Sequence, residues 1–170
     1  MSLSLDLAKI FPLTFSLMSK AEAREFAQEF SRDWGSAIHF LPMLLRQQLR
    51  SAVMVEAADY EFQRYDLQSV DLGKSSQGSH LFLNPSARFL RMSRAAAILG
   101  KPPGLYVLWK SSQAVREKRL SLAEAAFLDK LRDDQLVFRS ELNEVEVGIE
   151  SSLRAMGLIE GGHSTMKEMR

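Results

Sequence analysis

The sequence contains no cysteine, which removes disulfides, thiolate nucleophiles, zinc knuckles and iron–sulfur clusters from consideration. It has only three histidines, His39, His80 and His163, with no HExxH motif and no close pair. No catalytic residue and no metal site is therefore expected, and the chain reads as a non-enzyme that binds no cofactor itself. Charge of one sign is missing too: Lys and Arg number 22 against 21 Asp and Glu, so neither nucleic acid nor an anionic membrane is an expected partner. No apolar run approaches the roughly 18 residues of a membrane span. The apolar start MSLSLDLAKIFPLTFSLMSK lacks a basic n-region and is interrupted by Asp6, Lys9 and Pro12, so it reads as folded protein, not a signal peptide. Neither GxGxxG nor GxxxxGK[ST] occurs. A cytoplasmic location is the expectation.

What is present is an apolar pattern that changes period along the chain. Ser19 and Glu22 form a capping box opening a helix to Trp34, with Ala23, Phe26, Ala27 and Phe30 on one stripe and Gly35 ending it. Two more helices fit Ser36 to Val70, the first on Ile38, Leu41, Leu44 and Leu45, the second on Val55, Ala58, Phe62 and Tyr65. From Asp71 to Ser79 the sequence DLGKSSQGS is an exposed connection. Strand formers follow: His80 to Leu83, Ala87 to Met92 after an Asn84-Pro85-Ser86 turn, Leu105 to Lys110, and Ala114 to Leu120, the last two joined as a hairpin of open register. Ser121 and Glu124 open a helix to Arg132, with Leu122, Ala125, Ala126, Leu128 and Leu131 as its apolar positions. A final helix spans Glu146 to Met156 and ends at Gly157, with Leu158 and Ile159 packing back on the core. The expected fold is α+β: a helical part over 1–72, a linker over 73–79, a winged-helix-like part with a small antiparallel sheet over 80–162, and a polar tail over 163–170.

A winged-helix outline has two uses. In one, a helix enters DNA; here that helix carries or adjoins Glu144, Glu146 and Glu150 against Arg154 alone, and phosphate would be repelled. In the other, an extended peptide adds to a sheet edge and rests on the adjoining helix. The candidate peptide-binding residues are Leu105, Tyr106, Val107, Leu108, Trp109, Val115, Arg116 and Lys118, although the run through Trp109 reads equally well as a buried central strand. Arg88, Arg91 and Arg94 form a basic stretch suited to a solvated face or a protein contact, and Phe82, Arg88, Phe89 and Arg91 are the candidate partner contacts, with Phe82, Phe89 and Trp109 as apolar anchors.

The order of these segments resembles a known group. The runs LFLNPSARFLR from Leu81 to Arg91, LYVLWK from Leu105 to Lys110 and VREKRLSLAEAAFLDKL from Val115 to Leu131 resemble the C-terminal half of the HvfC/BufC-type proteins, and AADYEFQRYDL from Ala57 to Leu67 looks like the helix before it. The resemblance covers roughly residues 50 to 132. Length and compact N-terminal helices look most like its methanobactin-biosynthesis branch. It implies a partner subunit of a multinuclear iron oxidase of the DUF692 type (MbnB-like), acting on a ribosomally made precursor peptide (MbnA-like) whose cysteines become oxazolone and thioamide groups. Iron is then expected in the partner.

Overall fold

The computed structural model describes residues 3–29, 45–46, 50–71, 80–112, 114–132 and 136–161. Linker 73–79 and tail 163–170, together with His39, His163 and most of the helix expected on Ile38, Leu41 and Leu44, lie outside the described residues. The architecture is α+β, with helices first and small antiparallel sheets after them. Two compact units divide the chain, Met1–Ser69 with Leu90–Gly104, and Val70–Phe89 with Leu105–Arg170. The segment 90–104 is thus grouped with the N-terminal helices, although its first three residues complete one strand and Gly104 opens another.

The first unit holds α1 (Leu3–Ile10), α2 (Pro12–Ser16), α3 (Lys20–Glu29), α4 (Ala52–Ser69) and α5 (Ala95–Ile98). The expected cap opens α3: Ser19 N–H donates to Glu22 Oε2 at 2.8 Å and Glu22 N–H to Ser19 Oγ at 3.2 Å. Leu7, Phe11, Phe26, Leu45, Met54 and Ala58 form the core. On α4 the expected stripe is only partly buried: Ala58 is covered, Val55 and Phe62 are half-buried, and Tyr65 is exposed. Met54, Ala57, Tyr60, Glu61 and Leu67 are buried as well. A helix with α2 on one side and α5 on another has no single apolar stripe to display.

The second unit begins with β1 (His80–Leu83) and the start of β2 (Arg88–Met92), then β3 (Gly104–Ser111), β4 (Ala114–Arg119), α6 (Leu122–Arg132), β5 (Val137–Phe138), α7 (Glu144–Ala155) and β6 (Ile159–Gly161). The strands form two sheets, ordered β5-β1-β6 and β2-β3-β4. The second core gathers Leu81, Val107, Trp109, Leu120, Phe127, Leu128, Leu131, Leu153, Leu158 and Ile159. Gly157 takes φ 75° as expected, and Leu158 returns its N–H to Leu153 O at 3.0 Å. The turn at Asn84 is more than a turn. Its side chain donates to Lys110 O (3.3 Å) and Gly157 O (3.0 Å) and accepts from Ser86 N–H (2.9 Å), joining three chain segments with one buried amide.

Candidate peptide-binding site

β4 is crowded with charge, Ala-Val-Arg-Glu-Lys-Arg, which suits a sheet edge far better than a sheet centre. The hairpin register is Ser111↔Ala114 through Tyr106↔Arg119. Ser112 takes φ 49°, the left-handed backbone that a two-residue hairpin loop demands. In the order β2-β3-β4 the central strand is β3, and among the described residues nothing pairs with the outer side of β4.

The hydrogen-bond alternation then says which groups face outward. Leu120 N–H donates to Leu105 O at 2.8 Å, marking those two residues as a bonded pair. Bonded and non-bonded pairs alternate along an antiparallel ladder, so Lys118, Arg116 and Ala114 turn their backbone groups toward β3. Val115, Glu117 and Arg119 turn theirs outward.

This geometry sorts the candidate residues. Tyr106, Val107, Leu108 and Trp109 are buried on both faces of β3, at 4%, 0%, 0% and 1% exposure, and Leu105 is half-buried against the core. Together they are the buried central strand and offer no edge for strand addition. Trp109 is also not a surface anchor, because its Nε1–H is committed to Met156 O at 3.2 Å. Val115, Arg116 and Lys118 do lie on the outer strand. Glu117 and Arg119 were not among the candidates, though they carry two of the three outward backbone positions; a strand with four charges in six residues was the signal for them.

Helix α6 flanks this edge. Its cap is the expected one, Ser121 N–H to Glu124 Oε2 at 2.9 Å and Glu124 N–H to Ser121 Oγ at 3.2 Å. Lys118 Nζ reaches Glu124 Oε1 at 3.1 Å, tying the strand to the first turn of the helix. Burial pushes the Glu124 carboxyl up, but the Ser121 and Lys118 hydrogen bonds outweigh it and hold the group below its ordinary value. The apolar face of α6 differs from the expected one. Phe127, Leu128 and Leu131 are buried, whereas Leu122 is 93% exposed and Ala126 is exposed, because only one flank of the helix meets the core.

The candidate partner contacts are dispersed. Phe82 is half-buried in β1, its ring 6.0 Å from that of His80. Phe89 packs on the second core under the Arg132 guanidinium, 4.7 Å from its centroid. Arg88 donates to Pro85 O and Ala87 O, and Arg91 is exposed. Helices α6 and α7 also border a cleft lined by Ala123, Ala126, Phe127, Val145 and Ile149, with Lys130 and Glu146 paired beside it.

Among the described residues no group of three His, Asp or Glu side chains could hold a metal ion, and no helix is long and apolar enough to cross a membrane. Compared with known proteins, the chain matches no family model and no curated protein.

Proposed function

We propose that this chain is a non-catalytic partner subunit that docks a multinuclear iron oxidase and holds the leader of a ribosomally made precursor peptide. The oxidase then converts precursor cysteines to oxazolone and thioamide groups, as in methanobactin-type biosynthesis. The observation that carries this reading is the outer edge of β4, open among the described residues and beside a capped helix, with Val115, Glu117 and Arg119 presenting backbone donors and acceptors. Main-chain pairing accepts an extended segment of variable sequence. A leader so held raises the effective concentration of its core at the partner's iron, so the core itself needs little recognition. The resemblance over residues 50 to 132 supplies the identity of the oxidase and of the chemistry; the β4 edge supplies a means of holding the leader.

Amide exchange of this chain in complex with its oxidase tests the reading. Adding the precursor should slow exchange at Val115, Glu117 and Arg119 and leave the already bonded Arg116 and Lys118 nearly unchanged. Single prolines along the leader should weaken binding in alternation, since proline removes one backbone donor. Absence of a complex with the oxidase at micromolar concentration would refute the partner assignment, and tolerance of every leader proline would refute strand addition. Steeply salt-dependent binding of duplex DNA would instead favour a winged-helix regulator; Glu144 and Glu146 in the first turn of α7 weigh against that.

A further inference from the structure

We infer that the β4 edge selects an acidic peptide strand, with carboxylates placed three residues apart to meet Arg116 and Arg119. This rests on the strand-addition reading above and specifies the chemistry of what is added. Both arginines are exposed, and neither has an ion-pair, hydrogen-bond or ring partner among the described residues. The cation between them differs: Lys118 is neutralised by Glu124. The edge therefore carries two guanidinium groups without a direct partner among the described residues, one opposite Trp109 and one opposite Tyr106, on opposite faces of the strand, with the Glu117 carboxylate on the Arg119 face.

An added strand runs alongside this pattern with its own alternation. Residues facing positions 116 and 119 are three apart in the incoming peptide and point to opposite faces, so one carboxylate lies on the α6 side and the other on the far side. A guanidinium offers a planar fork of donors that a carboxylate fills in bidentate fashion. Like charges across strands are destabilising by a similar amount, so a basic segment is disfavoured twice. Charge on an edge strand also discourages aggregation; that role requires cations but not carboxylates at a fixed spacing, and this separates the two.

The test uses the full chain and two labelled nine-residue peptides of Thr and Val, one with Asp at its fourth and seventh places, the other with Lys there. Anisotropy titration should show the Asp peptide binding about tenfold tighter than the Lys peptide, and the double variant R116E/R119E should reverse that order. The single variant Arg116→Gln, which leaves the ladder intact, should reduce the preference by about threefold. If both peptides bind equally and the double variant changes nothing, charge selection fails while strand addition stands. When neither peptide binds and no exchange protection develops at Val115, Glu117 and Arg119, both readings fall. Displacement of the Asp peptide by a single-stranded oligonucleotide at lower concentration than by unlabelled peptide would assign the arginines to phosphate and overturn the inference.

Discussion

The two units close their backbones in different ways. In the first, carboxylates on the long helix α4 reach across the sequence: Glu61 accepts from Leu13 N–H (2.5 Å), Thr14 N–H (2.9 Å) and Thr14 Oγ–H (2.6 Å) at the start of α2, and Glu56 accepts from Ser93, Arg94 and Ala95 N–H at the start of α5. Neither short helix has a capping side chain of its own hydrogen-bonded at its start. In the second unit the caps are local, Ser121 with Glu124 and Asn143 with Glu146, as Ser19 with Glu22 is at α3 of the first, and the burden of holding the strands falls on an apolar core around Trp109. Remote caps make a helix depend on tertiary structure; local caps let it begin without any.

The largest effect should come from breaking the apolar side of this comparison. Trp109→Ala removes the largest fully buried side chain among the described residues and its bond to Met156 O, and is expected to destabilise by roughly 3–5 kcal/mol. Denaturant unfolding followed by amide exchange should show the loss first in β3, α6 and α7. A change below about 1 kcal/mol would mean that the ring is not the centre of that core.

Smaller, and opposite in sign with pH, are the effects of the two remote caps. Removing the Glu61 carboxylate by Glu61→Ala strands donors on Leu13 and Thr14 and should cost about 1–3 kcal/mol. Burial pushes the Glu61 carboxyl above 4.5, against the hydrogen bonds from Thr14 and Leu13. A carboxyl raised on folding stabilises fully below its unfolded value, and that contribution is lost as pH rises through the folded value. Glu56 runs the other way. Burial pushes it up, but bonds from Ser93, Ala95 and Arg94 outweigh this and hold it below 4.5, so its contribution is present above that value and is lost as pH falls through the folded one. Melting temperatures from about pH 3 to about pH 7 should show Glu61→Gln flattening a decline on the upper side and Glu56→Gln flattening one on the acid side. The same slope change in both variants would show that the two caps do not differ as described.

The contrast also explains what could be read from the sequence. Ser19 with Glu22 and Ser121 with Glu124 lie three residues apart, and each gives the helix start that was expected. The strands from His80 to Arg119 match to within a residue, because turn residues such as Asn84-Pro85-Ser86, Lys101-Pro102-Pro103-Gly104 and Ser111-Ser112 bound them. Glu56 meets Ser93 from 37 residues away and Glu61 meets Thr14 from 47, and no local pattern announces either. The four-residue α5 and the two strands β5 and β6, of two and three residues, are too short to carry a period. The expected start of α7 at Glu146 misses the capping box of Asn143 with Glu146, which begins the helix two residues earlier. At the candidate site, the composition of both hairpin strands was visible, but which one was central depended on β2 pairing with β3.

Helix α6 offers the finest discrimination, since a local cap and an apolar residue stand side by side at its start. Ser121→Ala removes the acceptor of Glu124 N–H and should cost about 0.5–2 kcal/mol. Leu122 was expected on the core face, yet at 93% exposure it has almost no buried surface to lose. Leu122→Gln should therefore change stability by less than about 0.5 kcal/mol, Leu and Gln being close in helix propensity. The pair of variants, compared by urea midpoint at constant m, measures packing against capping one residue apart. A Leu122→Gln loss as large as that of Ser121→Ala would mean that this leucine is covered in solution, and would place an apolar contact on the exposed flank of α6.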